Sequence, residues 1–259
     1  MGGRVRALLA IKRVVGLVGN PYCSRRVSAD DGLCILDAPM APAVAPAISD
    51  EAVIATNNGT MAYYDGFALE YARATLSSDL SALYPQLLDR LTPGGLVLDA
   101  GSGSGRDILA FLERGFRVEA FDASVQLAAS ATRLTGVPVE VARFEDWQAP
   151  PGRYDGIWCF ASLLHVPRQD LPGTFHKLAR ALKTGGWLFA SFKRGKEDTV
   201  DELGRRYTNV EVQTMSPLFT DSELIIERTW EEAGPALAGS ATWVYVLARR
   251  EGAERLPSE

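Results

Sequence analysis

An acid followed by glycines at every second position, Asp99-Ala100-Gly101-Ser102-Gly103-Ser104-Gly105, is the group best suited to chemistry in this chain of 259 residues. Glycines so placed let a ligand lie against bare backbone, where any side chain would block it. A second acid, Asp122, follows about twenty residues later, the distance at which a carboxylate accepts hydrogen bonds from both hydroxyls of a ribose. Together they point to a nucleoside ligand. The elements that must hold them are legible nearby: the apolar run Leu96-Val97-Leu98 reads as a buried strand, Ile108 to Leu112 as a helix, and Phe116 to Asp122 as a second strand. Strand, glycine turn and helix form the nucleotide-binding opening of a doubly wound sheet. The spacing excludes two common ligands. A dinucleotide fingerprint G-x-G-x-x-G needs its third glycine at residue 106 or 108, which are Arg106 and Ile108, and no Gly-Lys-Ser/Thr follows to make a phosphate-binding loop.

The rest of the chain continues the alternation. Val137 to Val141 reads as a third strand, and Phe144, Glu145 and Trp147 just beyond it are placed to face the base, with core packing the equal alternative for Trp147. Tyr154 to Phe160 reads as a fourth strand running into a loop with Ala161 and His165 at the carboxyl edge, where open α/β sheets bind ligands. A helix over Leu171 to Leu182 is expected to end at Gly185-Gly186, before a fifth strand at Trp187 to Phe192. Leu224 to Trp230 and Thr242 to Leu247 are the last two strands, too close for a helical crossover and so antiparallel. Upstream, helical spacing runs from Tyr64 through Tyr71, and a second helix spans Leu80 to Leu91, stopping at Thr92-Pro93-Gly94-Gly95. The expected fold is α/β: a seven-stranded, Rossmann-like, doubly wound sheet with an antiparallel last strand.

The acid-x-G-x-G-x-G pattern resembles the first motif of class I S-adenosylmethionine-dependent methyltransferases. Four segments in order, Asp99 to Asp107, Ala161-Ser-Leu-Leu-His-Val-Pro167, Leu182-Lys-Thr-Gly-Gly186 and Ala190-Ser-Phe-Lys193, are similar to the bacterial class I methyltransferases labelled tellurite-resistance-like. The resemblance runs from about Tyr63 to Arg250. It implies the class I methyltransferase fold and S-adenosyl-L-methionine as cofactor. The residues it implies for binding that cofactor are Asp99, Gly101, Ser102, Gly103, Gly105 and Arg106 in the first motif, then Asp122 and Ala123, Phe144 and Glu145, and Ala161. It also makes the upstream helices a lid, with Tyr64, Tyr71 and Thr75 as candidates to shield the sulfonium; packing of both tyrosines onto the sheet is the alternative. Ser102 stands where relatives usually carry Cys, and Arg143 where many carry an acid for the adenine amino group. Relatives also carry an Asp-x-Arg-Pro-x-x-Arg segment before a Trp-Leu-Asn strand; this chain has Glu231 to Ala236 and then Trp243-Val244-Tyr245, which puts the family's acceptor pocket in doubt.

A sulfonium methyl is already electrophilic, so such an enzyme mainly aligns a nucleophile for direct displacement. His165 is the candidate catalytic base for an acceptor that must lose a proton, with a structural role in the turn before Pro167 as the alternative. A soft anion such as tellurite or selenite would need no base. No Asn/Asp-Pro-Pro-Tyr follows strand four, which counts against methylation of adenine in nucleic acid. The expected acceptor is a small molecule or an inorganic anion. Two other readings stay open: a non-catalytic S-adenosylmethionine-binding partner subunit, and a nicotinamide-dependent oxidoreductase.

Composition agrees with a globular protein: 47% apolar and 23% charged residues. A net charge of -5 argues against a surface built for phosphate backbones, although Lys193-Arg194-Gly195-Lys196 and Arg205-Arg206 are basic clusters suited to an anionic acceptor or to solvent. Cys23, Cys34 and Cys159 leave one cysteine unpaired, and with only His165 and His176 beside them they make no metal-ligand pattern; a reduced cytoplasm is the expected location. No apolar run of about eighteen residues is present to span a membrane. Residues 1–60 read as a disordered or incidental extension, basic up to Ser28 and rich in Pro and Ala from Met40 to Ala47; 61–250 read as the domain with its lid helices and 251–259 as a tail. The oligomeric state is left open.

Overall fold

The computed structural model describes residues 58–219, 222–233 and 241–251. Residues 1–57 of the expected extension, 252–259 of the tail, Cys23, Cys34 and Gly234-Pro235-Ala236 lie outside the described residues, whereas residues 58–60 of that extension already open a helix. Seven strands form one sheet: β1 (Leu96–Ala100), β2 (Arg117–Asp122), β3 (Val139–Val141), β4 (Tyr154–Cys159), β5 (Leu182–Lys193), β8 (Leu224–Ala233) and β9 (Thr242–Arg250). Their order is β3-β2-β1-β4-β5-β9-β8. The first five run parallel, and β9 inserts antiparallel to both β5 and β8. The order reverses between β1 and β4, so the loops leaving those two strands diverge at their carboxyl ends and open a crevice there. A separate two-stranded ribbon, β6 (Thr199–Val200) with β7 (Arg206–Tyr207), follows β5.

Central strands bury both faces and therefore read as apolar runs. Leu98, Ile157, Leu188 and Val246 are all inaccessible or nearly so. Helices cover the sheet in the way their spacing dictates. On α6 (Leu171–Ala181) the buried positions Leu171, Thr174, Phe175, Leu178 and Ala179 make one helical stripe. Helix α5 (Val125–Thr135) starts where the Ser124 hydroxyl accepts from the Leu127 amide at 3.2 Å and stops at Gly136 in the left-handed region. Helix α4 (Arg106–Glu113) buries Ile108 and Phe111 on the sheet.

Two upstream helices, α1 (Asn58–Gly66) and α2 (Ala68–Leu76), lie across the carboxyl edge. Ala68, Ala72 and Tyr64 and Tyr71 pack with Leu127 of α5. The Ser124 hydroxyl donates to Asp65 at 2.6 Å, and the Arg206 amide donates to the Thr60 hydroxyl at 3.0 Å, so α1 is tied to α5 at one side and to the ribbon at the other.

Three expectations are corrected by local chemistry. The helix expected over Leu80 to Leu91 is only α3 (Tyr84–Leu88), because Pro85 has no amide to extend a ladder towards Leu80 and the chain turns on three-residue bonds at either end. Gly185-Gly186 do not end α6; the helix stops at Ala181 and its last carbonyls accept from Gly152 and Arg153, so the glycines fall inside β5, where the pairing with β4 shifts register. The third strand is shorter than expected, since Val137-Pro138 turns before it begins.

Candidate active site

The loop from Gly101 to Gly105 leaves β1 with glycines in the left-handed region, Gly101 at φ 79° and Gly105 at φ 82°. A Cβ on Gly101 would collide with Cβ of Ser162, and one on Gly105 would stand 3.1 Å from the Ala131 side chain. The amides of Gly101 and Ser102 donate to the Phe121 carbonyl at 2.9 and 3.0 Å, which pins the loop to the end of β2. Across the crevice Ala161, just beyond β4, also has a left-handed backbone (φ 53°), rare for a residue with a Cβ; its amide donates to the Ser191 hydroxyl at 2.8 Å. Strain of this kind is held where surrounding structure fixes it, and here it sets the far wall of the crevice.

Asp122 stands at the end of β2. Its two oxygens accept from the Gly103 amide at 2.7 Å and the Ser124 amide at 2.8 Å. Each oxygen keeps a lone-pair direction for a further donor. Burial raises its carboxyl to about 6, against the pull of those two amides. Asp99 is buried deeper and pushed well above the usual carboxylate range by burial, then by Asp107, with Arg106 pulling the other way. Asp99 Oδ2, Ser102 Oγ and Ser162 Oγ are buried polar atoms without a hydrogen-bond partner among the described residues, all at this switch point. Native interiors rarely leave such groups unsatisfied, so a bound water or a ligand is expected to meet them.

Tyr64 and Tyr71, ring centroids 5.0 Å apart, divide the crevice into two compartments. One is apolar and walled by Phe121, Asp122, Ala123, Leu127, Ala142 and Phe144. The other is polar and basic, and holds Ser102, Arg106, Phe160, Lys193, Arg205, Tyr207 and Trp243. His165 lines both. Its Nδ1 lies 2.6 Å from the Arg206 carbonyl, which can only accept, so Nδ1 carries the proton and Nε2 accepts from the Tyr64 hydroxyl at 2.9 Å. Burial lowers the imidazole to about 4, helped by Arg205 and Lys193 and opposed by the Arg206 carbonyl, so His165 is neutral at pH 7.

The structure brings together Gly101, Ser102, Gly103, Arg106, Asp122, Ala123, Phe144, Ala161, His165, Tyr64, Tyr71 and Thr75 around one crevice. Asp99 is buried in β1 and Gly105 faces Ala131 and Thr135 of α5, so neither lines a compartment. Glu145 lies away from the crevice altogether. Its side chain is exposed and 3.4 Å from Arg143, outside both compartments, because the chain turns at Arg143–Trp147 and points it to solvent. Trp147 resolves to core, stacked on Phe121 at 5.0 Å. Sequence reasoning missed Ser162, Lys193, Arg205, Tyr207 and Trp243 as one group. The basic clusters were visible, but only the ribbon after β5 folds Arg205 and Tyr207 back over Lys193.

A switch-point crevice with a glycine cradle, an acid at the end of β2 and an antiparallel penultimate strand defines an α/β protein of the class I methyltransferase fold. The family model described as methyltransferase domain matches residues 71–234, and the chain belongs to that family of S-adenosylmethionine-dependent transferases. It is similar to the chloroplastic magnesium protoporphyrin IX methyltransferase of Arabidopsis thaliana, 26% identical over 151 residues, 56% of this chain and 48% of the relative; the chain spans about half the length of that curated relative. Two solved structures share the fold. The 1,6-didemethyltoxoflavin-N1-methyltransferase of Burkholderia thailandensis, bound to 1,6-didemethyltoxoflavin and S-adenosylhomocysteine, superposes with a TM-score of 0.62 at 21% identity, covering 82% of this chain and 95% of that one. The phosphoethanolamine N-methyltransferase 2 of Haemonchus contortus, with phosphomonomethylethanolamine and S-adenosylhomocysteine, gives 0.60 at 16% identity, covering 76% and 59%. No described helix is long and apolar enough to cross a membrane.

Proposed function

We propose that this chain is an S-adenosylmethionine-dependent methyltransferase that transfers a methyl group to a small molecule or inorganic anion by direct displacement. The observation that carries the reading is the trio of unsatisfied buried atoms, Asp99 Oδ2, Ser102 Oγ and Ser162 Oγ, beside the glycine cradle. They suit an amino-acid end, which offers an ammonium and a carboxylate. The apolar compartment suits a purine, with the Asp122 carboxylate at its rim for ribose hydroxyls. Both ends of S-adenosylmethionine are therefore matched by residues present. When bound, that cofactor supplies a methyl on a positively charged sulfur. What the chain adds is enclosure by Tyr64 and Tyr71 and orientation of an acceptor in the basic compartment. His165 is the base of this proposal: with Nδ1 committed to Arg206, a proton reaches Nε2 through the Tyr64 hydroxyl, which donates to Nε2 while its oxygen accepts from the acceptor. A place among the tellurite-resistance-like bacterial methyltransferases, and in the cytoplasm, belongs to the same proposal.

Calorimetric titration with S-adenosylhomocysteine tests the reading. Micromolar binding that Asp122→Ala weakens by about tenfold or more, the loss of about two hydrogen bonds to a charged group, is the expected result. Binding of NADH in its place would overturn it.

Asp122 also sets a pH dependence. Its folded value of about 6 lies above the ordinary 3.8, so burial disfavours the charged form and the free protein gains a proton below about pH 6. Ribose hydroxyls donate to the ionised form. Affinity for S-adenosylhomocysteine is expected to be flat above about pH 7 and to fall by up to about tenfold per unit below about pH 6. Proton release on binding, read by repeating the titration at pH 6 in buffers of different ionisation enthalpy, checks the sign; uptake would contradict it.

A further inference from the structure

We propose that the acceptor carries an anionic group, carboxylate or phosphate, held by Lys193 and Arg205 in a subsite walled by Tyr207 and Trp243. This rests on the methyltransferase reading and names the substrate class of that same crevice. Three cations line the basic compartment, and they are not equivalent. Arg106 is committed to Asp107 through two bonds of 2.7 and 2.9 Å. Arg205 is paired with Asp201, Nε to Oδ2 at 2.8 Å. Lys193 has no carboxylate partner among the described residues; its ammonium sits 3.5 Å from the centre of the Tyr207 ring, with the Arg205 guanidinium 5.6 Å from that ring on its own account. A half-buried lysine placed beside an arginine is unfavourable for the free protein, and burial together with repulsion from Arg205 holds Lys193 below the usual ammonium range. An incoming anion would relieve that repulsion.

Trp243 supplies an independent observation. It is 4% exposed, it lines the same compartment, and its Nε1–H is buried with no hydrogen-bond partner among the described residues. An indole N–H can only donate, so what completes it is an acceptor atom. Trp243 also stacks on Phe160, centroids 5.7 Å apart and planes within 9°, which gives the compartment a flat aromatic side. A lysine with no carboxylate in ion-pair contact among the described residues, only the Asp201 carboxylate on the neighbouring Arg205 offsetting its charge, together with an orphan donor and an aromatic face in one compartment, favours an organic acid over a neutral or cationic acceptor. His165 is consistent with this: neutral and tied to Tyr64, it adds no charge to oppose an acceptor cation and no anion to attract one. The sequence placed Lys193 and Arg205 in separate basic clusters, and only the β6–β7 ribbon makes them one subsite.

The test uses the full chain loaded with S-adenosylhomocysteine and follows the Trp243 indole N–H resonance, assigned with Trp243→Phe, during titration with benzoate, phenyl phosphate and neutral benzamide. A saturable shift with benzoate or phenyl phosphate and none with benzamide is expected, and the stronger of the two anions distinguishes carboxylate from phosphate. Lys193→Gln should raise the half-saturating concentration about tenfold, while Lys193→Arg, which keeps the charge, should hold it within about threefold. S-adenosylhomocysteine affinity should be unchanged in both variants. An equal response to benzamide, no response to either anion, or a Lys193→Gln variant that binds the anion as the parent does would overturn the proposal. Failure of the parent to take S-adenosylhomocysteine would instead strike the methyltransferase reading, so the two failures are separable.

Discussion

Replacing Gly101 with alanine is expected to abolish S-adenosylhomocysteine binding at concentrations that saturate the parent protein, and to lower the melting temperature by roughly 4–12 °C. Two costs meet at this position. A φ of 79° places any L side chain in the left-handed region, at about 1–2 kcal/mol, and the new methyl meets Cβ of Ser162 across the crevice, where overpacking costs about 1–3 kcal/mol more. Neither cost is easily evaded. The loop is pinned on one side by its bonds to the Phe121 carbonyl and by Asp122, and the Ala161–Ser162 wall is held by Ser191 on the other. Whatever yields first, the space that the donor would occupy changes shape. A control isolates the two terms. Gly115 has φ 85° with nothing within 4 Å of the place a methyl would take, so Gly115→Ala carries the backbone cost alone and should bind S-adenosylhomocysteine as the parent does. The double variant Gly101→Ala/Ser162→Gly removes the collision and should recover part of the melting temperature. If Gly101→Ala bound the ligand as well as Gly115→Ala, the glycine loop would not be the donor site.

How much of this was readable from the chain depends on the reach of each interaction. The Gly101–Gly105 cradle and Asp122 are about twenty residues apart and linked by a single strand-helix-strand unit, so their spacing alone carried their relation. The doubly wound sheet and its antiparallel end follow similarly, from alternation and from the short gap between the last strands. The boundaries that failed were set by single atoms: Pro85 lacking an amide, and the carbonyls at the end of α6 accepting from residues 152 and 153 instead of from a glycine cap. Glu145 failed because a turn of four residues decides whether its side chain faces the crevice or water, and no periodicity encodes that. The acceptor compartment was the least legible part. Lys193, Arg205 and Trp243 come from a strand end, a ribbon and the antiparallel strand, and only tertiary contacts across 50 residues join them.

The largest loss of stability is expected from Asp107, which the sequence offers only as the last residue of the glycine-motif segment and which the structure places in the first turn of α4. In the fold its carboxylate is 5% exposed and accepts from three separate elements: the Tyr84 hydroxyl of α3 at 2.7 Å, the Trp158 indole of β4 at 3.0 Å, and both Nε and a terminal nitrogen of Arg106. Every partner is a donor. Asp107→Ala therefore leaves the hydroxyl and the indole without an acceptor and a largely buried guanidinium without its counter-charge, and breaking a buried ion pair in this way costs about 3–5 kcal/mol. Asp107→Asn is not a mild version of the same change. Its oxygen can still accept, but its amide nitrogen must face another donor, so it should recover only part of the loss, about 1–2 kcal/mol. Equilibrium urea unfolding of the three proteins gives the order parent, Asn, Ala. The same variants reach the crevice, because Asp107 holds Arg106 over the Phe160 ring, 5.3 Å from its centroid, on the wall that the acceptor would meet. Asp107 is also one of the charges that raise Asp99, so removing it should bring the Asp99 carboxyl down. An Asp107→Ala variant as stable as the parent would mean that the four donors find other partners.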